Sequence, residues 1–182
     1  MSGPPPEPAD GPDADPESVA RKILLDRLTG APRSRADLEK ALAGKNVPDD
    51  VARRLLDRFT EVGLVDDEAF ARAWVESRQR SKGLARRALA LELHRKGVEA
   101  EVATSALDEL DADTEAAAAR ELVRRKLRSV RNVPEPARTR RLLGMLARKG
   151  YPAGMALDAI REELGADEEW QRSIGEPSQT SL

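Results

Sequence analysis

The sequence predicts an all-α protein built as three tandem three-helix repeats in an elongated, curved array. Three observations carry that expectation. Leu, Ala, Arg and Glu dominate a chain of 182 residues with 35% charged and 3% aromatic side chains, a composition that favours helix. Apolar residues recur at helical spacing between Gly, Pro and Asn breaks. One pattern also recurs along the chain. With Asn46, Gly97 and Gly150 as common origins, 51 and 53 residues apart, Val19, Phe70 and Val123 coincide, as do Ile23, Trp74 and Leu127. So do Leu38, Leu89 and Leu142; Leu42, Leu93 and Leu146; Val47, Val98 and Tyr151; Val51, Val102 and Met155; and Leu56, Leu107 and Ile160. Such a repeat indicates units that share seams and stack along a line.

The elements follow in order. Residues 1–16 are rich in Pro, Gly and Asp and are expected to be disordered. Unit 1 spans 17–65. Its first helix carries Val19, Ile23, Leu24 and Leu28 and breaks at Gly30 to Pro32. Ser34 caps the second, with Asp37 three residues on. Asn46 closes it in the left-handed conformation that Asn tolerates. Pro48 is placed at the first position of the third helix, which runs to Gly63. Unit 2 spans 66–112. Asp66 and Asp67 read as helix-capping and dipole-complementing acids in preference to a metal or catalytic pair. Phe70 and Trp74 line its first helix, Leu89 and Leu93 the second, and Val102, Ala106 and Leu107 the third. Unit 3 spans 113–165, with Leu122, Val123 and Leu127, then Leu142 and Leu146, then Met155, Ile160 and Leu164. Residues 166–182 form a polar tail that Trp170 could dock.

Charge is unevenly distributed behind a net of −2. Residues 78–149 carry eighteen Lys/Arg against ten Asp/Glu, while residues 1–18 carry five acids and no base. A basic middle between acidic ends points to an anionic partner. Catalytic chemistry has little to stand on. There is no cysteine, His94 is the one histidine, and no phosphate-binding glycine motif is present. No catalytic residue, metal site or cofactor is expected. No apolar run is long enough for a membrane span, and the N-terminus lacks signal-peptide character, so a cytoplasmic protein is expected. The contact candidates are Arg78, Arg80, Lys82, Arg86 and Arg87 around the Gly83 bend, Arg120, Arg124, Arg125 and Arg128 on the next long helix, and Arg141 beyond it. Arg120, Arg124 and Arg128 form an i, i+4, i+8 ridge able to follow phosphates or to pair with local acids. Phe59, Phe70, Trp74 and Tyr151 fall at core positions, which argues against base stacking on exposed rings.

The stretch V-D-D-E-A-F-A-R-A-W-V at residues 65–75, Arg78, the basic run to Gly83, and L-E-L-H-R-K-G-V at residues 91–98 together resemble the RecX family of bacterial recombination regulators. The resemblance covers residues 17–165. Trp74 stands where family members often have Tyr, Leu84 where many have proline, and Lys45-Asn46 where Lys-Gly would close the unit. The resemblance implies no enzymatic activity and no cofactor, and a monomer is expected. It implies binding to the RecA recombinase and its filament on single-stranded DNA, with inhibition of ATP hydrolysis and strand exchange. The competing expectation is a sequence-specific DNA-binding regulator of helix-turn-helix type. The acidic third helices, with Glu99, Glu101, Asp108 and Glu109 in unit 2, count against a recognition helix.

Overall fold

The computed structural model describes residues 15–175, with side chains through residue 166. Among these residues it contains nine α-helices and no strand. Unit 1 comprises α1 (Pro16–Gly30), α2 (Arg35–Ala43) and α3 (Asp49–Glu61). Unit 2 comprises α4 (Asp67–Lys82), α5 (Arg86–Arg95) and α6 (Ala100–Asp108), and unit 3 α7 (Ala112–Val130), α8 (Glu135–Arg148) and α9 (Ala153–Gly175). Most of the expected disordered segment lies outside the described residues, as does the Trp170 side chain.

Local chemistry explains the helix ends. Asp15, Asp66 and Asp111 each accept backbone N–H bonds from the first turns of α1, α4 and α7. Carboxylates there satisfy orphan donors and complement the dipole. The three repeat origins share one conformation: Asn46 has φ 57°, Gly97 70° and Gly150 89°. Each reverses the chain between a unit's second and third helices. Pro48 stands one position outside its expected place, capping α3, whose bonding ladder starts at its carbonyl (Ala52 N–H to Pro48 O, 2.9 Å).

Each unit closes around its own core. Unit 1 buries Leu24, Leu38, Leu42 and Leu56, and unit 2 buries Phe70, Leu89, Leu93 and Leu107. Unit 3 buries Val123, Leu142, Leu146 and Ile160, together with Ala85 from the end of the preceding bend. The columns from second and third helices stay in phase across all three units. The first-helix columns do not. Asp67 accepts the Arg35 N–H at 2.8 Å and Glu115 accepts the Arg86 N–H at 2.7 Å, so these two acids are equivalent. Their separation shows that α7 is displaced by five residues from the sequence register. One additional connecting residue and the extra first turn of α8 absorb that difference.

The seams between units are small and polar. At the first, the Ser34 hydroxyl, fully buried, donates to the Lys96 carbonyl (2.7 Å) and accepts the Asp37 N–H (3.2 Å). Lys96 Nζ pairs with Asp37 at 2.8 Å. At the second, the Ala85 N–H donates to the Lys149 carbonyl (2.9 Å), and the buried Tyr151 hydroxyl donates to the Gly83 carbonyl (3.1 Å). Glycine is required at both. A Cβ on Gly97 would lie 2.4 Å from the Ala36 Cβ, and one on Gly150 2.6 Å from the Ala88 nitrogen.

Candidate partner-binding surface

The Gly83 bend takes its shape from the end of α4. Gly83 adopts φ 59° and donates to the Gln79 carbonyl at 2.8 Å, and a Cβ there would press on the Leu122 side chain at 3.0 Å. The basic residues around it divide by what they touch. Arg78 is held inside unit 2, its guanidinium carbon 4.1 Å from the Trp74 ring centroid and its Nε 3.2 Å from Glu92. Glu92 also accepts the Trp74 indole N–H at 2.9 Å, and Lys96 Nζ lies 5.0 Å from that ring centroid. Two cations thus approach the Trp74 ring beside the first seam, with Phe70 5.5 Å away. Both rings serve structure, as their column positions imply.

Arg86 is likewise committed internally. Its guanidinium donates to the Leu107 carbonyl at 2.8 Å and pairs with Asp108, while its backbone N–H is taken by buried Glu115. Arg35 makes the corresponding bonds in unit 1, to Asp57 and Asp67. Arg80 is exposed and pairs with Glu76 one turn back. Lys82 and Arg87 are exposed, with no ion-pair partner among the described residues.

The α7 ridge has the expected spacing, but most of it is bound back to the protein. Arg124 forks onto Glu163 at 2.8 and 3.0 Å and also reaches Glu121 at 3.2 Å. Bonding to Glu163, then the charge of that carboxylate, raises its pKa above the ordinary arginine value. Glu163 is buried at the position where unit 1 has Phe59 and unit 2 has Leu110. The ion pair therefore occupies what is otherwise an apolar site. Arg120 pairs with Glu162 at 3.3 Å and Arg125 with Glu121 at 3.6 Å. Among the described residues, Arg128 alone of the ridge is exposed without a carboxylate partner. Near Arg125, burial and then the Arg125 and Lys82 charges lower the Lys149 pKa. Lys149 Nζ meets the Lys82 carbonyl and so closes the C-terminal end of α4.

Arg141 is exposed on α8 with no carboxylate partner among the described residues, as are Arg140 and Arg148 on the same helix. Neither of those two was among the contact candidates. The available signal was the absence of any Asp or Glu from Pro136 to Leu157, so α8 has no local acid beyond Glu135. His94 is exposed. Among the described residues no three His, Asp or Glu side chains gather as a metal site, and no helix is long and apolar enough to cross a membrane.

Comparison with known proteins agrees with this architecture. The family models for the second and third three-helix domains of RecX match residues 66–107 and 113–160. The regulatory protein RecX of Streptomyces coelicolor is 50% identical over 165 residues, covering 91% of this chain and 88% of that protein. RecX of Thermobifida fusca is 52% identical over 164 residues, covering 87% of this chain and 89% of that protein. A crystal structure of regulatory protein RecX superposes with TM-score 0.73 at 25% identity, covering 82% of this chain and 73% of that one. RecX from Lactobacillus salivarius gives TM-score 0.74 at 18% identity, over 82% of this chain and 97% of that one, a likeness of fold. Half of the residues are shared with full-length relatives over nine-tenths of the chain, and two domain models match in tandem, so this chain belongs to the RecX family of regulatory proteins.

Proposed function

We propose that this chain is a non-catalytic, cytoplasmic and monomeric regulator that binds the RecA recombinase and its filament on single-stranded DNA, inhibiting ATP hydrolysis and strand exchange. One structural observation supports this within the family assignment. The three units form a line of separate cores, and the stretch from Arg78 to Lys149 carries a net of +8 along it. A long array with a charged side suits lying along a polymeric partner better than enclosing a small substrate.

Ion pairing sorts the contact candidates. Lys82, Arg87, Arg128 and Arg141 are exposed with no carboxylate to release among the described residues, so they are the first choice for contacts. Arg80, Arg120, Arg124 and Arg125 would have to exchange an existing partner. Arg78 and Arg86 act through the shape of unit 2 and its seams. The test is co-sedimentation with the cognate RecA–DNA filament, together with its ATPase rate. Binding with slowed hydrolysis is expected. Absence of binding with unchanged hydrolysis would refute the proposal.

A further inference from the structure

The two seams place the same lysine in different company. Lys45, Lys96 and Lys149 each stand one residue before the left-handed residue that closes a second helix, at Asn46, Gly97 and Gly150. At the first seam Lys96 Nζ pairs with Asp37 at 2.8 Å and lies 5.0 Å from the Trp74 ring centroid. Both supports are missing at the second. Leu38 and Leu89 share a column, so Ala88 stands where the acid Asp37 would be. Counted from the equivalent acids Asp67 and Glu115, Leu122 stands where Trp74 would be. Lys149 Nζ turns instead to the Lys82 carbonyl, half-buried and with no carboxylate partner among the described residues. The charges that act on it are those of Arg125 and Lys82.

An ammonium group beside two other cations and without an anion gives up its proton more readily than a paired one, and the free amine is a nucleophile. Burial, then the Arg125 and Lys82 charges, lower the Lys149 pKa in that sense. The same two cations attract an anionic reagent. We propose that Lys149 is a modification site, where the side-chain amine is acylated by a small acyl phosphate such as acetyl phosphate. In that step the amine lone pair forms the new C–N bond. The bond from the acyl carbon to the phosphate oxygen breaks, phosphate leaves with its electron pair, and the nitrogen releases a proton to water. The product is a neutral amide. It takes one charge from the net +8 between Arg78 and Lys149. The Ala85 N–H bond to the Lys149 carbonyl is made by the backbone and does not depend on the amine. This goes beyond the filament proposal, because it concerns the free chain and holds in the absence of RecA.

The experiment incubates the full-length chain with acetyl phosphate near neutral pH, then denatures it and labels the remaining amines with isotopically heavy acetic anhydride. Mass spectrometry of the digest then reads the native acetylation rate at each lysine. Lys149 is expected to react about threefold or more faster than Lys45, its exposed counterpart in unit 1, and than exposed Lys126. In guanidinium chloride the rates should converge, because the advantage comes from the fold. Arg125→Glu, which sets a carboxylate where a cation stood, should bring Lys149 down to the rate of Lys96. Arg125 is exposed, so its replacement spares the core. Ala88→Asp, which restores the acid of the first seam, should act in the same direction, and circular dichroism checks that each variant remains helical. A Lys149 rate no higher than that of Lys45 overturns the proposal. So does an advantage that persists in guanidinium chloride or in folded Arg125→Glu protein.

Discussion

Tyr151 shows how a single side chain joins two units. Its hydroxyl crosses from the start of the unit 3 turn to the Gly83 carbonyl, and burial, then the nearby Glu115 charge, pushes its pKa up to about 12. A tyrosinate could no longer donate that bond. The unfolded chain would ionise at about 10, so the stabilisation is complete below that pH and is lost as pH rises towards about 12. It is the only tyrosine in the chain, so tyrosinate absorbance reports it alone. A native midpoint near 12 is expected, against one near 10 in denaturant. Coincident midpoints would show that the hydroxyl is not buried. Its place in a core column was legible from the Val47, Val98 and Tyr151 alignment. Its bond to Gly83 was not, because that partner is distant in sequence and lies in another unit. The same holds for Arg86 and Arg124. Helical spacing places a guanidinium on a face, but Asp108 and Glu163 arrive there only through tertiary packing.

At the scale of elements, the left-handed helix ends are the clearest link between sequence and fold. Asn46, Gly97 and Gly150 were recognisable as stops, and all three have positive φ. What their spacing could not reveal is that two of them also sit against a neighbouring unit. Gly63 and Gly97 separate the two effects, with nearly equal φ of 71° and 70°. A Cβ at Gly63 meets nothing within 4 Å, whereas one at Gly97 collides with Ala36. Gly63→Ala should therefore cost about 1 kcal/mol, the left-handed penalty alone. Gly97→Ala should cost ~1–3 kcal/mol more from overpacking. Equal losses of stability in denaturant melts would mean that the seam yields without resistance. The register of α7 illustrates the opposite limit of legibility. Leu- and Ala-rich helices offer several nearly equivalent alignments, and the extra turn of α8 was hidden behind Pro134 and Pro136, which mark a helix start without fixing how the preceding helix aligns.

In the molecule as a whole, three small cores are coupled in series. Units of this size are marginal alone and borrow stability from their neighbours. Weakening the first seam should then loosen unit 1 selectively. Hydrogen exchange of Gly97→Ala, read by mass spectrometry, is expected to accelerate in α1–α3 and to stay near wild type in α7–α9. A uniform acceleration across all nine helices would show that the cores act as one cooperative body. The fold class and the three-unit plan were visible in the sequence because they rest on repeated burial. The partner-facing surface was only partly visible, since it depends on which arginines find an acid in space. The seam at Gly97 has a mechanical consequence. The closest approach at that joint is one glycine against the Ala36 methyl group, and a helix of about 14 residues is about 21 Å long. A rotation of about 10° at that pivot would sweep a point two such lengths away, ~42 Å, through roughly 7 Å. A single methyl's clearance at Gly97 thus bears, by leverage, on where the far end of the chain sits.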